Sequence, residues 1–187
     1  MKKLLFSLIA LLSVHLGYSQ AQKIGYVDTD YILSQMAEYR SAQKQLDDLA
    51  SQWEKEVADK KAAVEKMFKD YRAEEVLLTP AQQKERQDAI VAKEEEYKKF
   101  EQDKFGYEGE LFKKRQELIK PIQDKVFNAI QKVAKDRVLD FVFDKSSSAL
   151  SMLYTNPKYD ISDEVLDELG VVAAQGKPED NKTKGGR

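Results

Sequence analysis

One run of about a hundred residues, from Tyr31 to Arg137, has the composition of a continuous α-helix and is interrupted once, at Leu78-Thr79-Pro80. It is rich in Lys, Glu, Gln and Ala, and its apolar residues are sparse, which is typical of long solvated helices. Thr79 and Pro80 have the residue types preferred at the N-cap and at the first position of a new helix. Because only a tight turn fits between the two helices, they are expected to run antiparallel. The sequence therefore predicts a long helical hairpin with its tip near residues 78–80.

A thin heptad seam follows the first helix of this hairpin, and nine of its twelve positions are apolar. The seam is a coiled-coil pattern with polar interruptions at Gln43, Lys60 and Glu74. Its two rows are Met36, Gln43, Ala50, Val57, Val64, Tyr71 and Tyr39, Leu46, Trp53, Lys60, Met67, Glu74. Placing residue i opposite residue 157 − i brings apolar residues together along the hairpin, which supports the antiparallel pairing independently.

The second helix of the hairpin contains Gly106, Gly109 and Pro121. A glycine costs about 1 kcal/mol relative to Ala in a helix interior, and a proline removes a helical hydrogen bond and tends to kink the helix. These residues are interpreted either as tolerated imperfections or as a hinge in the arm, and the sequence leaves both readings open. Trp53 falls near Gly106 in the pairing scheme.

Strand-like segments flank the hairpin on both sides. Residues 23–28 alternate as a strand, and Thr29 or Asp30 is expected to cap the first long helix. Residues 139–144 and 150–154 also alternate, and the polar loop between them suggests a β-hairpin. Residues 160–170 read as a short helix that ends at Gly170. The fold class is therefore α+β, mostly α, with a helical arm projecting from a small strand-built base.

This base is too small to be stable alone, because three short strands and one short helix leave exposed edges and little core. We therefore expect it to oligomerise, although the physics does not fix the number of chains. The apolar residues expected at the oligomerisation surface are Ile24, Tyr26, Val27, Leu139, Phe141, Phe143, Met152 and Tyr154.

The first 21 residues are predicted to be a cleaved secretory signal. Lys2 and Lys3 precede an apolar stretch, residues 4–16, which is short for a membrane span. Ser19 and Ala21 are suitable small residues for cleavage before Gln22. An uncleaved anchor helix is the alternative. The resulting division is signal peptide 1–21, base 22–30 and 138–170, arm 31–137 and a disordered tail 171–187.

Composition excludes several kinds of chemistry. The chain has no Cys, and its single His, His15, lies within the predicted signal. Cysteine nucleophiles, His-dependent triads and thiolate or imidazole metal sites are therefore not expected in the exported chain. A net charge of −2 does not indicate the positively charged surface that nucleic-acid-binding proteins use. We expect neither an enzyme nor a cofactor.

The order of strand, long hairpin, strand pair and short helix resembles the Skp (OmpH) family of periplasmic chaperones. Four local motifs carry the resemblance, which covers roughly residues 23–169. They are Lys23-Ile24-Gly25-Tyr26-Val27-Asp28, Phe100-Glu101-Gln102-Asp103, the stretch from Pro121-Ile122-Gln123 to Val142-Phe143-Asp144-Lys145, and Tyr159-Asp160-Ile161-Ser162-Asp163-Glu164-Val165-Leu166.

The resemblance implies a homotrimer in which a shared β-barrel body carries three helical arms around a cavity. That cavity would hold unfolded outer-membrane proteins in the periplasm without ATP. The arms of well-known members are strongly basic, whereas residues 54–110 here contain 12 Lys or Arg and 16 Asp or Glu. Capture of anionic partners or membrane surfaces by positive charge is therefore not supported by this sequence.

Apolar residues outside the heptad seam are the expected client contacts. Many weak contacts could hold an unfolded chain, but the same residues could simply widen the seam, and both readings stay open. The residues are Phe68, Val76, Leu77, Phe105 and Phe112. The alternative function is a non-chaperone coiled-coil scaffold or adaptor of the cell envelope.

Overall fold

The structure is a computed structural model that describes residues 22–149 and 151–172. The predicted signal peptide, Leu150 and the predicted tail from residue 173 onward lie outside the described residues. The described chain is mostly helical and contains a small two-stranded sheet, which confirms the predicted fold class. It divides into two compact units, which we call the hairpin unit (residues 33–127) and the base unit (described residues up to 32 and from 128).

Helices α2 (Ala37–Glu74) and α3 (Pro80–Phe105) form the antiparallel hairpin. A short 3₁₀ turn, Glu75–Leu77, joins them. Thr79 is the N-cap of α3, as predicted: its hydroxyl accepts a hydrogen bond from the backbone N–H of Gln82, whose side chain accepts one from the Thr79 N–H. This capping box satisfies two backbone donors at the start of α3.

Two contacts between α2 and α3 lie within one residue of the predicted register. Lys60 pairs with Glu96 at 2.9 Å, and the Gln87 amide donates to the Tyr71 hydroxyl at 2.7 Å. The side chains of Leu46, Trp53, Tyr71 and Ile90 are buried. The polar seam position Lys60 thus serves an ion pair between the helices.

Two interruptions correct the prediction of a helix broken only at residues 78–80. Met36, in extended conformation, separates α1 (Thr29–Gln35) from α2. Its side chain is 3% exposed, so the break buries Met36. The second break separates α3 from α4 (Glu110–Asp136) at Gly106–Gly109, which was predicted to lie inside a helix.

The sheet of the base unit pairs β1 (Ile24–Val27) in parallel with β2 (Phe141–Asp144), with Ile24 opposite Phe141. Tyr26 also forms a parallel bridge with Asp160 on the other side of β1. The predicted β-hairpin is therefore wrong, because β2 takes β1 as its neighbour and residues 151–154 form no strand. An alternation of apolar and polar residues predicts that a segment can have one apolar face as a strand. It does not predict which other strand the segment will pair with.

Helix ends in the base unit follow known capping geometry. Helix α4 ends in a Schellman motif, in which the Leu139 N–H donates to Ala134 O and the Val138 N–H to Lys135 O. Val138 has φ of +55°, a left-handed conformation that is unfavourable for a β-branched residue. Helix α5 (Ser162–Glu168) is followed by Gly170 with φ of +67°, as its predicted end requires.

A polar junction links the ends of the two strands. The cap of α1 is Asp28 and not Thr29 or Asp30 as predicted, since the Asp28 carboxylate accepts from the Tyr31 N–H at 2.9 Å. Asp144 accepts from the Thr29 hydroxyl at 2.6 Å and from the Ser146 hydroxyl at 2.7 Å. Burial alone would raise the pKa of Asp144, but these hydrogen bonds outweigh it and hold the pKa below its ordinary value.

Candidate binding surfaces

A cleft of about 730 Å³ opens on the base unit. It brings together most of the residues predicted for oligomerisation, which come from both ends of the described chain: Ile24, Tyr26, Leu139, Phe143, Met152 and Tyr154. We call these six residues and the space between them the base cleft. Phe141 stacks on Phe143 with ring centroids 6.4 Å apart. The six residues make one side of the cleft apolar and aromatic, as in many binding sites, while Lys23, Arg137 and Lys158 add positive charge to its lining.

The predicted oligomerisation residues differ in how much of each side chain is exposed in the single chain. Tyr26 and Val27 are 6% and 2% exposed, so they belong to the core of the single chain. Phe141 is 49% exposed and Tyr154 is 82% exposed. Of the predicted set, Ile24, Phe141, Phe143 and Tyr154 therefore keep apolar surface available to a partner.

A smaller cleft of about 340 Å³ lies between α2 and α3 in the hairpin unit. Its apolar walls are Val64, Phe68, Ile90 and Tyr97. Lys61, Glu65, Lys69 and Glu94 line it too, so charges of both signs accompany the apolar walls. Phe68, a predicted client contact, is 53% exposed here.

The other predicted client contacts occupy different environments. Val76 and Leu77 lie in the turn between α2 and α3 and are 90% and 82% exposed. Phe112, on α4, is about half exposed. Phe105 packs edge-to-face on Trp53, with centroids 6.3 Å apart, which favours a role in the seam for this residue.

The break between α3 and α4 is shaped by the two predicted hinge glycines. A Cβ at Gly106 would lie 2.4 Å from the carbonyl oxygen of Gln102, and a Cβ at Gly109 would lie 2.9 Å from that of Gly106. Glu108, between them, has φ of +56°. Pro121, the third predicted hinge residue, lies inside α4, which continues through it.

Aromatic and charged side chains surround this break. The Lys104 ammonium lies 4.7 Å from the centroid of the Trp53 ring and pairs with Glu110, the first residue of α4. A cation over the face of Trp is a favourable contact. Lys104 therefore bridges the two sides of the break while it also contacts the opposite helix.

The pairing of residue i with residue 157 − i places Tyr107 opposite Ala50 as an apolar pair, but Tyr107 is 98% exposed within the break. Sequence reasoning therefore missed its exposure. An aromatic residue between two glycines was the signal that could have identified it. It also missed the exposed Phe127, which lies on α4 outside the stripe of buried residues on that helix.

Electrostatic features of the described residues are those of a solvated surface. Glu96 accepts hydrogen bonds from Lys93 and Lys60, which lower its pKa to about 2.

Within residues 22–149 and 151–172, no cluster of His, Cys, Asp and Glu could hold a metal ion, and each buried side-chain polar atom has a hydrogen-bond partner. No helix among these residues is long and apolar enough to cross a bilayer.

Comparisons with known proteins agree with these features. The sequence profile of a family described as outer membrane protein (OmpH-like) matches residues 23–169. A protein of Aquifex aeolicus (strain VF5), itself described as uncharacterized, is 28% identical over 169 residues, which are 90% of this chain and 99% of that protein.

A crystal structure from Caulobacter crescentus CB15 has a similar fold, with a TM-score of 0.64 at 15% identity. The match covers 80% of this chain and 84% of that one, a protein described as a proposed outer membrane chaperone (OmpH-like).

Proposed function

The chain belongs to the OmpH-like family of outer membrane proteins, and we propose that it is a chaperone of the periplasm that binds unfolded outer-membrane proteins. It acts as a holdase: it prevents aggregation of its clients without ATP. Residues 1–21 direct its export and are removed near Ala21. Three copies associate through their bases, and their hairpins surround the client.

The observation that carries this proposal is the scattering of exposed apolar side chains along a charged hairpin. Phe68 on α2 is 53% exposed, the adjacent Val76 and Leu77 in the following turn are 90% and 82% exposed, and Phe112 on α4 is 49% exposed. Each small apolar contact contributes little binding free energy, so a client segment can leave one contact while other segments stay bound at the others. An unfolded barrel protein, whose strands expose alternating apolar residues, offers many segments to such contacts.

Charge plays a smaller part than the apolar contacts. The hairpin carries more acidic than basic residues between positions 54 and 110, and several of its lysines are paired locally, such as Lys55 with Asp59 and Lys66 with Asp70. Client binding by apolar contact should therefore persist at salt concentrations that screen exposed charges.

The break at Gly106–Gly109 gives the arm a place to bend. The backbone there leaves the helical conformation, whereas α4 continues through Pro121. Bending at the break would let the same arms surround clients of different size.

Aggregation of a barrel protein tests the holdase function directly. A urea-unfolded outer-membrane barrel protein is diluted into buffer with near-equimolar trimer, and light scattering is followed. Suppression by the wild-type protein, reduced in a variant with Phe68, Val76 and Leu77 each replaced by Ser, is expected. Val172→Ser is the matched control, since Val172 is 93% exposed but lies in the base unit.

Two results would contradict the proposal. If the wild-type protein does not suppress aggregation, the chain is better explained as a coiled-coil scaffold or adaptor of the envelope. If the triple variant suppresses as well as the wild type, the client contacts lie elsewhere on the chain.

A further inference from the structure

The base cleft lies where the chain leaves the described structure at its N-terminal end. Gln22 and Lys23, the first two described residues, line the same cleft as Tyr154 and Phe143. The segment that precedes Gln22 in the sequence is therefore joined covalently to a residue that lines this cleft.

The preceding sequence contains an apolar run that matches the apolar and aromatic part of the base cleft, whose lining also includes Lys23, Arg137 and Lys158. Nine of the eleven residues in 4–14 are apolar, in the sequence Leu-Leu-Phe-Ser-Leu-Ile-Ala-Leu-Leu-Ser-Val. Seven residues separate this run from Gln22, and they span up to about 25 Å when extended. The other terminal segment, residues 175–187, consists mostly of polar residues, glycine and one proline and offers no apolar side chain.

We propose that, in the uncleaved chain, residues 4–14 occupy the base cleft and block association through it until residues 1–21 are removed. The proposal rests on the proposed assembly through the base, and it adds that the leader of the same chain competes for that surface. The cleft volume of about 730 Å³ is in the range of pockets that enclose a drug-sized molecule, about 300–1,000 Å³. It can therefore take several side chains of the run.

Competition favours the leader because it is covalently attached. A segment on a short flexible linker acts at an effective concentration of about 1 mM or more. A second copy of the chain at micromolar concentration is at a disadvantage of roughly a thousandfold against an equally good binder. Removal of the leader abolishes this advantage, so association is coupled to cleavage.

Oligomeric state measured by sedimentation equilibrium tests the block. Three proteins are compared: the full chain with an intact leader, residues 22–187, and the full chain carrying Leu8→Gln and Leu11→Gln. The full chain is expected to associate at least about tenfold more weakly than residues 22–187. The polar leader should restore association. Equal association of all three proteins, or a full chain that stays monomeric despite the polar leader, would overturn the proposal.

A cross-link tests occupancy of the cleft separately. The chain has no Cys, so a single engineered pair reports one contact. Leu8→Cys with Met152→Cys should form a disulfide within one full-length chain. Leu8→Cys with Asp167→Cys, on an exposed face of α5, is the matched control and should not. If residues 22–187 prove monomeric, assembly through the base fails, while the disulfide still decides whether residues 4–14 reach the cleft. Equal cross-linking of both pairs would show that they do not bind there.

Discussion

Replacing Tyr154 by Ser separates assembly through the base from folding of the single chain. Tyr154 lines the base cleft yet is 82% exposed, so it contributes little to the core of one chain. If a neighbouring chain covers it, the variant loses contact area only in the assembled protein. The fold of the monomer should stay the same.

The size of the effect follows from the exposed fraction. An aromatic side chain buries about 150–250 Å², so the exposed 82% of Tyr154 corresponds to roughly 165 Å² on that scale. At about 25 cal/mol per Å², complete coverage would contribute about 4 kcal/mol per chain and half coverage about 2 kcal/mol. The association constant per contact should therefore fall by roughly 30-fold to 1,000-fold, at about 1.4 kcal/mol for each factor of ten.

Sedimentation equilibrium over a range of concentrations gives the association constant, and circular dichroism checks the fold. Tyr107→Ser is the matched control, because it makes the same chemical change at a residue that is 98% exposed in the hairpin unit. Association of Tyr154→Ser as tight as that of the wild type would refute the assignment of the base cleft to assembly. Equal weakening by Tyr107→Ser would show that the effect is not specific to the cleft.

Three further substitutions test the physical account of the fold. Val138→Gly should raise the free energy of unfolding in urea by about 0.5–1 kcal/mol, because relief of the left-handed conformation outweighs the added chain entropy; a loss of stability would contradict the Schellman assignment. Asp144→Asn should lower stability at pH 7 by roughly 1–3 kcal/mol. Since the folded-state pKa of Asp144 is depressed, its contribution is full above the ordinary pKa of about 3.9 and is lost as pH falls through the folded value, so the variant should show a weaker loss in acid. Gly106→Ala should destabilise the break by about 1–3 kcal/mol, because its Cβ meets the Gln102 carbonyl, and should shift Trp53 emission; unchanged stability and emission would show that the backbone adapts freely.

The hairpin was predictable because its signals are local. Thr79 and Pro80 mark the restart of a helix by their own chemistry, and the heptad rows include Trp53, which is buried. The packing of Phe105 on Trp53 was not predicted, because Phe105 was assigned outside the seam. The break at Met36 carries neither Gly nor Pro, so no local signal identifies it. Gly106 and Gly109 were recognised as weak points, but a helix that tolerates glycines and one that ends at them look alike in sequence.

The base was predicted less well because its pairing is not local. Alternation in residues 139–144 and 150–154 favoured pairing of these neighbours, whereas β2 pairs with residues 24–27. That choice depends on long-range packing, which a single sequence does not encode in any short window. Six of the apolar residues chosen from the predicted strands nevertheless line one cleft, because they had been chosen for their apolar side chains and not for their strand partners. Their role in assembly stays a prediction.

The parallel pairing of β1 with β2 has a consequence for the order in which the chain acquires structure. Ile24 is made early in synthesis, but its partner Phe141 follows only after both hairpin helices. Contacts between residues so far apart in sequence form slowly, whereas a helical hairpin closes through near neighbours. A chain that emerges N-terminus first should therefore complete its hairpin while β1 is still unpaired. Pulse-labelled hydrogen exchange should show protection in α2 and α3 before protection in β1.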